Sequence, residues 1–496
     1  MNPQLRLALV MCASAGLAVW LGIRLADSDY FWPGLTAAIA LAAICSRVLQ
    51  LPADLILLGF ALIGYLVGNR GFAQVTPMQG VPLFPAEAAL MTAFAWRIIA
   101  CAHERRIGLP RDWLSWIVLA WLAVGTVRVG FDVPRHGLNA IRDYAMVYYA
   151  LFYFLVQHMV RSPGAEGYLK FCLMAGLLLL PLFYFLSQLA PGLFLDVLTL
   201  RGTPLIFYKG DLVHGFMIAG SVLLFFGFKG PHAHWARPLS IGLVLYVMPG
   251  DSRAAVVGAA VISGLFLLAR RWTYPLWHLS LTTLAALVVL GLAVVANNDW
   301  AERKLGSATE KLRSIVDIQG VRPYQDQESL YKADNNRFRL VWWKNVALET
   351  VETNPVFGLG FGHDMAAGFL REYYPDSGED FSARSPHNMF VTAFGRMGAV
   401  GLAVWTAFAG AVFLRIWRAL RRNDERVFPL WTFGGVLVVT ATFGVVLEGP
   451  MAAVPFWTVL GLANALDHRP GGEETGESDA GAEAEPAEAR PAAATA

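Results

Sequence analysis

Apolar runs separated by short polar gaps fill most of this chain, and a helix of about 20 apolar residues crosses the ~30 Å hydrocarbon core of a bilayer. The runs begin near Leu5, Phe31, Ala53, Phe84, Trp113, Tyr144, Tyr168, Leu212, Leu239, Ala254, Leu276, Asn388, Val427 and Met451. Backbone groups in lipid must be satisfied within their own segment, so the pattern predicts an all-α polytopic membrane protein of about 12–14 transmembrane helices. The run Leu239–Met248 is too short to cross as a straight helix and ends in Pro249-Gly250, which pairs it with the following run around a break.

One stretch departs from the pattern. From Asn297 to Pro386 the chain carries 14 acidic residues and 11 Lys or Arg. This solvated balance predicts a helical loop subdomain (297–386) between N-terminal spans (1–296) and C-terminal spans (387–466). Within it Ala301–Val316 reads as one helix. Asn336–Glu352 reads as another, with Phe338, Val341, Trp342, Ala347, Leu348 and Val351 on its apolar side and with Trp342 and Trp343 suited to the headgroup level. Asn354-Pro355 stops that helix, and Gly358-Leu359-Gly360-Phe361-Gly362 reads as a flexible turn. It is not a nucleotide loop, because no strand precedes it. Residues 467–496 are rich in Glu, Ala, Pro and Gly and predict a disordered cytoplasmic tail.

Composition supports the membrane assignment, with 56% apolar and 15% charged residues and a mean hydropathy of +0.49. The net charge of +2 says little. Its distribution says more, since basic gaps mark the cytoplasmic side. His103–Arg111, Lys229–Arg237, Arg270-Arg271 and Arg415–Arg426 are such gaps, and alternation between them sets the long polar segment outside, in the periplasm, with both chain termini in the cytoplasm. The gap Arg128–Arg142 disagrees, because it falls outside yet holds Arg128, Arg135 and Arg142 against Asp132 and Asp143. Either that region is functional or the span count slips there. Cys12, Cys45, Cys101 and Cys172 lie in or at the ends of apolar runs and imply neither disulfide nor metal. The first run lacks a convincing cleavage site and reads as a retained helix.

Candidate chemistry gathers where the polar segment ends. Ser385-Pro386 reads as a helix start, Ser as cap and Pro at the first helical position, which puts His387 and Asn388 in the first turn. A helix N-terminus disfavours imidazolium and keeps the ring neutral, the state a general base needs. Gly398 and Gly401 fall on the His387 stripe and leave it bare for a neighbouring helix or a lipid chain. Taken alone, the motif fits an interfacial cap above packing glycines equally well. Arg253 follows Pro249-Gly250-Asp251-Ser252 and opens a helix whose free N–H groups favour an anion. Arg339 lies on the amphipathic helix, and Arg201 lies in an outward gap. Guanidinium forks grip phosphate in a way Lys cannot copy, although each is also placed as a membrane-edge Arg. His363, Asp364 and Glu372 lack metal-ligand spacing. His214 and Glu448 are placed to line a substrate path, and Glu87 and Arg97 lie far apart along one helix and need separate partners.

These residues resemble the O-antigen ligase and polysaccharide polymerase superfamily of bacterial envelope glycosyltransferases. Its signature is a His followed by Asn, Ser or Gln, nine residues, Gly, two residues, then Gly, Thr or Tyr, which His387-Asn388, Gly398 and Gly401 match. Arg339 to Trp343 and Leu348 to Gly360 are similar to the segment ahead of that His, and Asp251-Ser252-Arg253 resembles the family's Ser-Arg element. The resemblance covers about Leu200 to Gly401.

It implies an enzyme that moves a glycan from an undecaprenyl-diphosphate donor to an acceptor hydroxyl, such as that of lipid A-core, on the periplasmic side of the cell inner membrane. In that reading His387 takes the acceptor proton and Asn388 orients the ring or the acceptor, while Arg253 and Arg339, with Arg201, hold the donor diphosphate and no metal or other cofactor is needed. Two other functions stay open, a repeat-unit polymerase using the same donor class and a lipid-linked glycan flippase or transporter. Nothing points to nucleic acid.

Overall fold

A computed structural model describes residues 31–75, 112–228, 233–247, 252–296, 327–373 and 385–468, with single positions between 16 and 24 and between 86 and 95. Cys12, Arg97, Cys101, the basic gap His103–Arg111, Asp251, the expected helix Ala301–Val316 and the tail after His468 lie outside the described residues.

Helices dominate; the strands among the described residues are the hairpin pair Thr199–Leu200 and Thr203–Pro204. Six described helices are long and apolar enough to cross a membrane: Trp32–Leu49, Ala53–Gln74, Trp113–His136, Ala165–Leu189, Gly210–Gly227 and Met389–Arg422. This is an all-α polytopic membrane protein. Several expected runs fold as shorter pieces. After a short helix Leu138–Asp143, the run from Tyr144 is divided between Ala145–Tyr148 and Leu151–Met159, and the run from Leu239 lies in Ala233–Val247, with Arg253–Leu268 the next described helix. The last two runs form Phe428–Ala441 and Pro450–Asp467, joined by a non-helical segment.

Ionic groups collect at two opposite ends of the apolar bodies. Asp112 caps the Trp113–His136 helix by accepting from Ser115 N at 3.0 Å, and it sits 3.6 Å from Arg415, which pairs in turn with Asp467 at 2.9 Å. At 1.5 Å per residue the same helix rises about 30 Å before Asp132, and there it meets the polar segment. Phe361 N donates to Asp132 Oδ2 (2.7 Å) and Gly362 N to Asp143 Oδ2 (2.9 Å). Arg396 ties the same turn to the Met389–Arg422 helix, donating to Gly360 O (3.0 Å) and His363 O (2.7 Å) and pairing with Asp143 at 2.8 Å. The two aspartates in the gap that disagrees with the charge alternation are therefore acceptors for the glycine turn, at the end of the bundle where alternation sets the long segment. Gly358, Gly360 and Gly362 all have positive φ, and the turn is clamped by these contacts instead of being flexible.

The Met389–Arg422 helix breaks at Gly398, where φ is 64° and ψ −157°. Its freed N–H and C=O groups are recovered by the Asn354–Gly360 loop: Ala399 N donates to Pro355 O (2.8 Å) and Val400 N to Val356 O (3.3 Å), while Gly395 O accepts from Leu359 N (2.7 Å). An unwound span is tolerated where another part of the protein satisfies the backbone. The expected bare stripe is thus filled. The Val356 backbone covers Gly398, and a Cβ on Gly401 would stand 2.3 Å from Met397 Cβ.

The helix of the polar segment runs Gln327–Thr353. Its buried face is Trp342, Val346 and Thr350, whereas Leu348 (48% exposed) and Val351 (55%) point outward, against expectation. Trp342 is not a headgroup anchor. It stacks on Phe369 at 5.4 Å in a small core with Val346, Leu359, Met365 and Ala366, and its indole N–H donates to Met365 O at 2.8 Å. Packing against this core, absent from any single helix's pattern, sets the rotation.

Candidate functional site

The helix start lies further along than the Ser-Pro signal suggests. Asn388 is the cap, with φ −153° and ψ 116°, and its Oδ1 accepts from Phe390 N (2.9 Å) and Val391 N (3.2 Å). Neither His387 nor Asn388 is therefore in the first turn. Asn is as good a cap as Ser, and it stands next to the residues that continue the helix. With its carbonyl oxygen occupied, Asn388 fixes the backbone that carries the imidazole.

His387 precedes the cap with φ 57°, a left-handed conformation that His enters more readily than most residues. The segment is pinned from both sides. Ser385 Oγ donates to Glu448 and lies 3.4 Å from His387 N, Thr392 Oγ1 donates to Glu448 at 3.2 Å, and Trp343 donates its indole N–H to Pro386 O. Trp342 meets the imidazole edge-to-face, with 5.6 Å between centroids. Nδ1 is buried without a hydrogen-bond partner.

Burial first, then the charges of Arg339 and Lys209, push the His387 imidazole down to about 4. Desolvation and nearby cations both penalise imidazolium, so the ring is neutral at ordinary pH for reasons beyond the helix N-terminus.

Arg339 and Lys209 are held by the non-helical residues between Phe428–Ala441 and Pro450–Asp467. Arg339 donates to Phe443 O at 2.7 Å, and Lys209 Nζ donates to Val445 O. Burial lowers both cations, while Asp211 opposes the shift in each. Phe443 takes one of the five N–H donors that a guanidinium offers. Lys209 N is itself fixed by donating to Asn69 Oδ1 at 3.1 Å. Desolvation raises the Glu448 carboxyl.

Of the three expected arginines, the structure brings Arg339 to His387. Arg253 begins its helix as expected, capped by Ser252, whose Oγ accepts from Ala255 N at 3.3 Å. Arg253 itself is described in its backbone alone. Arg201 is exposed at the hairpin tip, where it and Gly202 have φ 52° and 74°, as a tight two-residue turn requires. The cations acting on His387 are Arg339 and Lys209.

Sequence reasoning missed Lys209 as a partner of His387, although Lys209-Gly210-Asp211, a charge pair opening an apolar run, was a visible signal. It also missed Glu448 as the anchor of Ser385. His214 is buried in the Gly210–Gly227 helix, His363 pairs with Glu349 at 2.7 Å, and Glu87 accepts from the hydroxyls of Tyr148 and Tyr149. Among the described residues no group of three or more His, Cys, Asp or Glu could hold a metal ion.

The arrangement offers a neutral proton acceptor beside two cations at the mouth of apolar helices. Such a site can bind an anionic group and deprotonate a neighbouring hydroxyl. Residues 238–406 match the family model described as O-antigen ligase, a stretch that takes in Arg253, Arg339, His387, Asn388, Gly398 and Gly401. The family comprises glycosyltransferase-like ligases and polymerases that use lipid-linked glycan donors. No curated protein matches the chain significantly.

Proposed function

This chain is a member of the O-antigen ligase and polysaccharide polymerase superfamily through residues 238–406, and from that premise we propose that it ligates a finished glycan from undecaprenyl diphosphate to a hydroxyl of lipid A-core. The reaction takes place on the periplasmic side of the bacterial inner membrane. The observation that carries this reading is the neutral His387 imidazole under the influence of Arg339 and Lys209.

The acceptor oxygen attacks the anomeric carbon of the donor sugar, the bond from that carbon to the diphosphate oxygen breaks with inversion, and His387 receives the acceptor proton. Arg339 and Arg253, assisted by Arg201 and Lys209, hold the charge that develops on the leaving diphosphate, which is where preorganised donors act most strongly. The donor's negative charge offsets the two cations that depress His387, so its arrival makes the imidazole a stronger base as chemistry begins. Asn388 acts on the ring through the backbone it caps. The energy resides in the sugar–diphosphate linkage, and the guanidinium groups serve in place of a metal ion.

The test is deletion of the gene followed by complementation with His387→Asn. Ligase loss leaves long carrier-linked polymer and unmodified lipid A-core in both strains. Accumulation of single repeats, on the carrier or transferred to acceptor, identifies a polymerase instead. Purified protein is expected to transfer glycan in EDTA without nucleoside triphosphate.

A further inference from the structure

Four rings from three elements meet close to Lys209. Tyr184, near the end of the Ala165–Leu189 helix, packs edge-to-face against Tyr208 at 5.3 Å, His214 at 5.7 Å and Tyr246 at 6.0 Å between centroids. Tyr208 directly precedes Lys209, and His214 lies in the helix that Lys209 leads into. Tyr246 is in the last turn of Ala233–Val247, the described helix before the one that Arg253 opens. The cluster therefore joins the two chain segments that deliver these cations.

Two further observations mark it as a binding surface. The Tyr208 hydroxyl is buried without a hydrogen-bond partner, which native interiors seldom leave uncorrected. The flank of the cluster is open: Tyr246 is exposed, as are Leu182, Phe185 and Leu186 on the helix that carries Tyr184. Apolar side chains exposed on a membrane span face lipid. One side of the cluster thus carries exposed apolar side chains of a membrane-length helix, and the other continues through Tyr208 into Lys209.

We propose that this aromatic cluster seats the isoprenoid segment next to the diphosphate of the lipid carrier, with the Tyr208 hydroxyl donating to a diphosphate oxygen. The proposal rests on the donor class given above. An unsaturated, polarisable chain suits packing against ring edges. A glycan would approach from water, whereas the open flank here continues into Leu182 and Phe185.

The experiment uses the full chain in lipid nanodiscs, with the photoreactive residue p-benzoylphenylalanine at position 246. The probe is radiolabelled polyprenyl diphosphate bearing no sugar. Labelling is expected, and it is abolished by excess unlabelled polyprenyl diphosphate but not by excess phosphatidylglycerol or free oligosaccharide. Competition by phosphatidylglycerol reduces the cluster to ordinary bilayer contact, and competition by oligosaccharide assigns it to the glycan; either result overturns the proposal, as does absence of labelling. Labelling needs no transfer, so a protein that labels but transfers nothing refutes the enzymatic reading alone, while an active protein that does not label refutes the seat alone. Tyr208→Phe retains the ring and is expected to weaken competition by polyprenyl diphosphate about ten- to a hundredfold, the worth of one hydrogen bond to a charged group, with competition by polyprenol unchanged. Equal competition by the diphosphate in both proteins overturns the role of the hydroxyl.

Discussion

The backbone of Val356 occupies the place where a side chain on Gly398 would begin: a Cβ there would stand 2.3 Å from the Val356 carbonyl carbon and oxygen. Residue 398 also has φ 64°, and a substituted residue held in so sparsely populated a conformation costs about 1–3 kcal/mol. Gly398→Ala is therefore expected to lower the thermal midpoint in detergent and to cut transfer sharply, because the Asn354–Gly360 loop can no longer dock into the helix break. Gly410→Ala, on the same helix with nothing within 4 Å of its Cβ, should leave both unchanged. Equal tolerance at the two positions would contradict the docking.

His387→Asn is expected to reduce transfer by about 10²–10⁴-fold, the usual worth of a general base, with insertion and abundance unchanged. Asn accepts positive φ at low cost, so it separates loss of the base from backbone strain, which His387→Ala would not. Near-normal transfer by membranes carrying either variant removes His387 from the proton transfer.

The pH profile follows from the depression of His387 from 6.5 to about 4. The unprotonated ring predominates down to that value, so kcat/KM should keep its acid limb well below pH 6.5. Bound diphosphate neutralises Arg339 and Lys209 and raises the imidazole, so the acid limb of kcat should lie at higher pH than that of kcat/KM. For stability, a His with a folded value below its unfolded one contributes fully above the unfolded value, and the contribution is lost as pH falls from 6.5 toward 4. An acid limb of kcat/KM at 6.5 or above would exclude this environment for the free enzyme.

Arg339→Lys and Arg253→Lys should each lower kcat/KM by about 10²-fold, as loss of a preorganised donor to developing charge does, because ammonium lacks the planar fork. Arg201→Lys should cost only a few-fold. The measurement is transfer from a defined lipid-diphosphate donor, and full activity of Lys at both main positions would reduce them to membrane-edge charges.

Several of these features were readable in the chain and others were not, for reasons that differ by residue. Spans such as Trp113–His136 and Ala165–Leu189 are legible because lipid imposes a continuous apolar run. That Ala233–Val247 and Arg253–Leu268 are separate helices is legible because Pro249-Gly250 interrupts the run in the sequence. The start of the Met389–Arg422 helix was misplaced because Ser385-Pro386 and Asn388 both have the chemistry of a cap, and only the hydrogen bonds of Asn388 Oδ1 distinguish them. Trp342 was misassigned because its partner Phe369 lies on another element, and Lys209 was missed because it reaches the site through Val445, 236 positions away in the chain.

Arg396 offers a test of the clamp. It is 2% exposed and Asp143 10%, so Asp143→Ala leaves a buried cation with reduced compensation and is expected to cost about 3–5 kcal/mol. The partly exposed Arg426–Asp424 pair should yield under about 1 kcal/mol on Asp424→Ala. Comparable thermal shifts for the two variants would show that the clamp does not hold the glycine turn.

Asp132 also sets an order of events during synthesis. The Phe361 N–H that it accepts is 229 positions downstream, which at 5–20 residues per second means a delay of roughly 10 to 45 s. Through that interval a nascent chain holds a carboxylate at the edge of the bilayer without its eventual main-chain donor. Arg128, one turn earlier on the same helix and 3.0 Å away, becomes available as soon as that helix coils. The ion pair persists beside the Phe361 contact in the finished fold, so the carboxylate has a cation partner both before and after the second half of the chain arrives.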